Sequence, residues 1–194
     1  GAFAIDSSSG AVTVADTSAI DYETATSCTV TVMATSSDSS TANTTFTVTI
    51  TDVDEFDVGE VTDTDSDANT LAEDVSNGAS AEITAFASDA DGTTNTVTYA
   101  ITAQSCSGAF AIDSSSGAVT VADTSAIDYD TATSCTITVT ATSADGSTSD
   151  TTFTVTLTDA NDQTPTYSSA DTSPSVSEGT TAVETVAITD TDTG

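Results

Sequence analysis

The sequence predicts an all-β chain built from tandem seven-stranded Greek-key β-sandwiches of immunoglobulin-like size. Three observations lead there. Apolar residues alternate with Thr, as in Phe46, Val48, Ile50 and again in Phe153, Val155, Leu157, which is the period of a half-buried strand. Residues Gly1 to Asp38 recur almost unchanged as Gly108 to Asp145, differing only at Glu23/Asp130, Val30/Ile137, Met33/Thr140 and Ser37/Ala144. The resulting period of 107 residues matches one sandwich domain and far exceeds the roughly 20 to 50 residues of a solenoid repeat.

The strands of the complete repeat follow in order. A weak first strand is expected near Leu71 to Val75 and a second through Ala81 to Ala87. Val97, Tyr99 and Ile101 alternate in a third. Phe110 and Ile112 precede the turn Ser114-Ser115-Ser116-Gly117, and Val119 and Val121 follow it as a short hairpin. Cys135, Ile137, Val139 and Ala141 form the sixth inward-facing row. Phe153 to Leu157 form the seventh, after the Asp145-Gly146 turn. Seven strands in this order fit Greek-key wiring.

On this count residues 1–56 are the C-terminal part of one repeat, 57–163 a complete repeat, and 164–194 the N-terminal part of the next. Half-sandwiches leave open sheet edges. The expectation is therefore either a window on a long repetitive protein or an assembly in which neighbouring copies complete each other.

Charge narrows the function. The 194 residues include 31 Asp plus Glu and no Lys, Arg or His, for a formal charge of −31. Every counter-charge comes from outside the chain. Nucleic acid is excluded as a partner because nothing basic faces phosphate, and no apolar run reaches the length of a membrane span. Without His or Lys, little remains for proton transfer or nucleophilic attack, so the chain is not expected to be an enzyme. Acidic chains with few aromatics are often disordered. Here the 37% of hydrophobic residues and their strict alternation argue for a folded chain.

The acidic residues recur in four motifs. Glu73 comes first, then Asp89-Ala90-Asp91-Gly92 with Asn95 and Val97-Thr98-Tyr99. Ile127-Asp128-Tyr129-Asp130 follows, then Asp159-Ala160-Asn161-Asp162-Gln163-Thr164-Pro165. In order they resemble the motifs of the cadherin family: its early acidic residue, its Asp-x-Asp segment, its Leu-Asp-Arg-Glu motif and its Asp-x-Asn-Asp-x-x-Pro linker. The resemblance implies a cadherin-like sandwich array with calcium at the junctions between consecutive repeats.

It also implies the ligands. The first junction would use Asp21, Glu23, Asp52, Asp54, Glu55, Glu73, Asp89, Asp91 and Asp145; the second Asp128, Asp130, Asp159, Asn161, Asp162, Glu178, Asp190 and Asp192. Calcium favours oxygen ligands, which these residues supply. The sequence departs from the family where Tyr22 and Tyr129 replace the motif's Arg, and where Asp54 replaces the linker Asn in the first copy, which also lacks the Pro. With no Trp in the chain, adhesion by exchange of a docked Trp is not implied.

Each functional reading has a plainer counterpart. Acidic clusters can be solvated faces, and Asp6, Asp16, Asp63 and Asp65 are read that way, with Asp67 undecided. Paired carboxylates can also mark a glycosidase, but duplication at each junction and an aromatic content of 5% argue against a sugar cleft. The repeat pairs Cys28 with Cys135 as equivalents, so Cys106 and Cys135 are expected to form a disulfide, leaving Cys28 a partner outside these residues. Buried free thiols are the alternative. Asn43-Thr44-Thr45 is a glycosylation sequon of little weight in so Thr-rich a chain.

The resulting expectation is an extracellular or cell-surface rod or stalk of an adhesin, suited to the saline, divalent-rich surroundings of a marine bacterium. Its partners would be calcium ions, neighbouring repeats and other copies of itself. A filament or coat subunit, or repeats that adhere directly to each other or to carbohydrate, are the alternatives.

Overall fold

The computed structural model describes residues 1–167, 173–181, 186–190 and 192. Its strands divide between two compact units. The first comprises Gly1–Gly59, Ser88–Val97 and Thr142–Thr148; the second comprises Glu60–Ala87, Thr98–Ala141 and Ser149–Gly194.

In the first unit, β1 (Phe3–Ile5) pairs antiparallel with β2 (Val12–Val14), Phe3 opposite Val14. The turn between them is held by Asp6, whose Oδ1 accepts the backbone N–H groups of Ser8 and Ser9 at 2.9 and 2.7 Å. β3 (Ser27–Thr35) and β4 (Thr41–Thr49) form a nine-residue antiparallel ladder from Ser27 opposite Thr49 to Thr35 opposite Thr41. Thr occupies most of the outward positions, and Thr31 and Thr45 hydroxyls hydrogen-bond across the ladder at 2.8 Å. Asp16 caps the short 3-10 turn Thr17–Ala19 through the N–H of Ser18.

The second unit contains a two-sheet sandwich. One sheet has the order β5 (Thr62–Asp63), β7 (Ser80–Phe86), β10 (Ala118–Val121), β9 (Phe110–Ile112). The other has the order β6 (Thr70–Ala72), β12 (Thr148–Thr158), β11 (Ser134–Ser143), β8 (Val97–Gln104), three of which run on into residues of the first unit. Alternation places Ala81, Ile83 and Ala85 of β7 and Val119 and Val121 of β10 inward from one sheet. Ile137 and Val139 of β11 and Val155 and Leu157 of β12 point inward from the other; all are buried.

The expected strands are present, with one addition. The weak first strand is β6, which pairs parallel with β12; the addition is β5, which pairs antiparallel with β7, so the chain crosses from one sheet to the other between β5 and β6. Gly117 sits at φ +74° against Ala85, whose N–H donates to its carbonyl at 2.9 Å, and a Cβ there would collide with the Ala85 carbonyl. The buried Tyr99 hydroxyl accepts the Ala87 N–H at 3.0 Å, tying β8 to the end of β7.

Cys106 and Cys135 are joined in a disulfide with Cα atoms 5.5 Å apart, as expected from the repeat. Cys28 is a half-buried free thiol. β13 (Thr166–Tyr167) and β14 (Ile188–Thr189) pair antiparallel at the far end of the chain. No helix among the described residues is long and apolar enough to cross a membrane.

Candidate metal centres

The first acidic cluster lies within the first unit and is assembled from three stretches of chain. Asp21 takes the N–H groups of Glu23 and Thr24 on Oδ1 at 3.0 and 3.3 Å and the Thr24 hydroxyl on Oδ2 at 2.8 Å. That turn presents Glu23, whose Oε1 accepts the N–H of Gly92 at 2.9 Å. The Tyr22 ring lies so close to Gly92 that a Cβ would stand 2.6 Å from it. The Tyr that replaces the motif's Arg thus packs on bare backbone.

Asp89 accepts the Asp91 N–H at 3.0 Å and the Ser143 hydroxyl. Asn95 donates to the Asp91 carbonyl at 2.7 Å, so the Asp91 loop is fixed from both sides. Asp91 is 1% exposed, and its Oδ1 accepts the Glu55 N–H at 3.2 Å. Asp52 accepts the Thr93 hydroxyl.

Two carboxylate groups result, and they share Asp91. Glu23, Asp52, Glu55 and Asp91 each bring an oxygen within 4.8 Å of the others, and Asp54, Asp91 and Asp145 do the same. Asp52 Oδ1 and Asp91 Oδ2 are buried without a hydrogen-bond donor. The Asp54 carboxyl is pushed up to about 6, first by its contact with the Asp91 carboxyl, then by desolvation and the charges of Asp145, Asp91 and Asp89. Glu55 is raised by desolvation and then by Glu23, Asp91, Asp52 and Asp21. Asp89 is lowered, chiefly by the Ser143 hydroxyl.

The second cluster lies within the second unit. Asp130, Asp159 and Asp192 bring carboxylate oxygens within 4.8 Å of one another. They repeat the first cluster: Asp130 and Asp159 follow Glu23 and Asp52 by one period, and Asp192 ends an Asp-x-Asp segment as Asp91 does. Desolvation, followed by Asp192, Asp159, Glu73 and Asp128, raises Asp130. Asp128 holds the Thr131 N–H and hydroxyl at 3.0 and 2.8 Å, as Asp21 holds Thr24. Gln163 donates its N–H to Asp192 at 3.0 Å.

Glu73 is placed differently from the expectation. It stands in the second unit and not with the first cluster; its Oε2 accepts the Tyr129 N–H at 2.5 Å and its Oε1 the Ala160 N–H at 2.7 Å. The parallel pairing of β6 with β12, Leu71 opposite Leu157, carries it to that end of the sandwich. Asp21, Asp89 and Asp128 orient backbone and fall outside the close carboxylate groups found among the described residues, as do Asp162, Glu178 and Asp190. Asp162 accepts the Gln163 side-chain amide at 2.8 Å, and Asp190 the Asp192 N–H at 3.3 Å.

A third group, Asp65, Asp67 and Glu82, was not foreseen. Glu82 has φ +53° and lies where the β7–β10 register shifts, so strand alternation does not give its direction. Asp63 is structural: it accepts the Thr84 and Asp65 N–H groups, both at 3.0 Å.

The first two clusters offer only oxygen from mutually repelling carboxylates, and the first also has the buried acceptor atoms Asp52 Oδ1 and Asp91 Oδ2 that no donor satisfies. That donor set suits a hard divalent cation of the calcium type, which takes about six to eight oxygens. Glu23, Asp52, Glu55, Asp91, Asp54 and Asp145 would hold it in the first cluster, and Asp130, Asp159 and Asp192 in the second.

Comparison with known proteins bears on the fold. The cadherin domain family matches residues 67–158. Mouse Cadherin-23 EC22-24 superposes with a TM-score of 0.73 at 26% identity, covering 100% of this chain and 62% of that one. Human CDH23 EC21-23 gives 0.77 at 24% identity, covering 100% and 62%. Extracellular cadherin domains 3-6 of Protocadherin Gamma B2 give 0.72 at 25% identity, covering 99% and 45%. The chain thus spans less than two thirds of the length of each of these structures. No curated protein matches. The chain is cadherin-like, and its residues 67–158 match the cadherin domain family.

Proposed function

We propose that this chain is a stretch of an extracellular rod or stalk of an adhesin, with repeats bounded at 57–163 as the sequence period indicates, stiffened by calcium at the two acidic clusters. The single observation that carries the reading is Asp91, a buried carboxylate shared by two close groups of acidic side chains with no basic residue anywhere in the chain. Two carboxylates 4.8 Å apart repel by about 3.5 kcal/mol at an effective dielectric of 20, so the arrangement is tight only with a cation inside. Ligands from both sides of each linker then fix the linker's direction, and the sandwich bodies serve as spacers.

The reading assigns the clustered carboxylates to cation ligation and not to catalysis, in keeping with the non-enzymatic adhesion family that the fold resembles. Calcium titration calorimetry combined with small-angle scattering tests the reading. Binding in the range of about 10⁻⁴ to 10⁻³ M is expected, together with a longer maximum dimension in calcium than in chelator. Absence of binding at millimolar calcium, or a dimension indifferent to it, refutes the proposal.

A further inference from the structure

Residues 91–93 are held one by one by two other stretches of the first unit. The Asp91 carboxylate accepts the Glu55 N–H at 3.2 Å, the Gly92 N–H donates to Glu23 Oε1 at 2.9 Å, and the Thr93 hydroxyl donates to Asp52. Each of these contacts uses a carboxylate of the first cluster. A fourth contact does not. The half-buried Tyr22 ring lies against Gly92, where an added Cβ would stand 2.6 Å from its Cδ1 and Cε1 atoms.

That ring is the reason for glycine at position 92. Gly92 is not at positive φ, so its backbone conformation is open to other residues. What excludes a side chain is the close approach of the Tyr22 ring and of Glu23 Oε1, which would lie 2.8 Å from the same Cβ. Ring and carboxylate come from adjacent residues and grip Gly92 together, one beside its α-carbon and the other on its N–H.

Charge gives this contact its role. The carboxylates of Glu23, Asp52, Glu55 and Asp91 repel one another and so push the three stretches apart. The ring on Gly92 is neutral, is not opposed by that repulsion, and gains by removing apolar surface from water. An Arg at position 22, as in the motif this segment resembles, would bring a positive charge beside the cluster and compete with a cation for it. Tyr attaches the loop and leaves the negative charge whole.

We propose that Tyr22 is a positioning residue, a charge-free clasp on Gly92 that holds Glu23 and Asp91 close to each other before any cation arrives. Such preorganisation raises cation affinity, because the apparent dissociation constant grows as the fraction of molecules in the closed arrangement falls.

The effect on affinity rests on the calcium reading above, whereas the clasp itself does not, and the test separates the two. Proton NMR of the full 194-residue chain is recorded in chelator and in calcium. The ring current of Tyr22 should displace the Gly92 α-protons from ordinary glycine values in both conditions. Tyr22→Phe keeps the ring and should keep the displacement, and Tyr22→Ala should abolish it. Calorimetry should find calcium binding at the first cluster about tenfold weaker in Tyr22→Ala and restored in Tyr22→Phe. Tyr22→Ala combined with Gly92→Ala should lose less than the product of the two single losses, because both changes break one contact. Circular dichroism checks the fold of each variant, and the wild-type spectrum in chelator needs no variant. Ordinary Gly92 shifts in chelator, or wild-type calcium affinity in Tyr22→Ala, overturn the proposal. Displaced Gly92 protons in a chain that binds no calcium uphold the clasp and refute the calcium reading alone.

Discussion

Asp91→Asn separates the two roles of the most buried acidic side chain. The amide keeps the Oδ1 acceptor for the Glu55 N–H and nearly the same shape, so the loop is retained while one charge is lost. In chelator, the wild-type Asp91 faces Asp52 and Glu23 at separations of no more than 4.8 Å, and each such pair repels by about 3.5 kcal/mol at an effective dielectric of 20. Salt and solvent reduce that, yet relief of about 1 to 2 kcal/mol is a reasonable residue after screening. With calcium the sign reverses. A site with dissociation constant near 10⁻⁴ M stabilises the fold by about 2.7 kcal/mol at 10 mM calcium, and a tenfold weaker site loses about 1.4 kcal/mol of this. Asp91 serves both groups of the first cluster, so about twice that loss is expected. Urea denaturation with and without calcium, beside calorimetry, reads both effects. The variant should be the more stable protein in chelator and the less stable one in calcium. A variant that binds calcium as the wild type does, or that is weaker in chelator, refutes the account of Asp91 as a ligand held against repulsion.

Three further outcomes follow from the geometry. Gly92→Ala should weaken calcium binding at the first cluster and spare the second, because the new methyl displaces the Tyr22 ring and the Glu23 carboxylate; calorimetry showing equal loss at both clusters would count against a local effect. Replacing Cys106 and Cys135 together by Ser should cost about 3.6 kcal/mol by the chain-entropy estimate for a separation of 29 residues, read as a lower urea midpoint with the β signal intact in the folded baseline; an unchanged midpoint would contradict it. Asp113 is held below the usual carboxylate range, first by the Ser116 N–H and then by the Ser115 hydroxyl. A depressed folded pKa contributes stability that is complete above the unfolded value of about 3.9 and is lost as pH falls toward the folded one. Asp113→Asn should therefore flatten stability against pH in that acidic range, and an unaltered slope would remove the turn from the explanation.

The sandwich was legible wherever side chains alternate. Ile137, Val139, Val155 and Leu157 were assigned inward by period alone, and all four are buried. β5 was not, because two residues, Thr62 and Asp63, carry no alternation. The acidic motifs were legible as motifs, and Glu23, Asp52, Asp54, Glu55, Asp91 and Asp145 do converge. Grouping was harder. Glu73 precedes Asp89 in the chain, but parallel pairing with β12 takes it to Tyr129 and Ala160, a consequence of strand direction that linear order does not contain. Glu82 joins Asp65 and Asp67 through a break in register, which no periodic pattern announces.

The sharing of Asp91 between two carboxylate groups also bears on how the first cluster fills. A cation held by one group would draw the common carboxylate into place, so a second ion would meet a site already shaped, a gain in preorganisation set against the negative charge already neutralised. Under the proposed ligation, occupancy of the pair would rise cooperatively, in the manner of a threshold, and the linker would pass from slack to taut over a narrow interval of calcium activity.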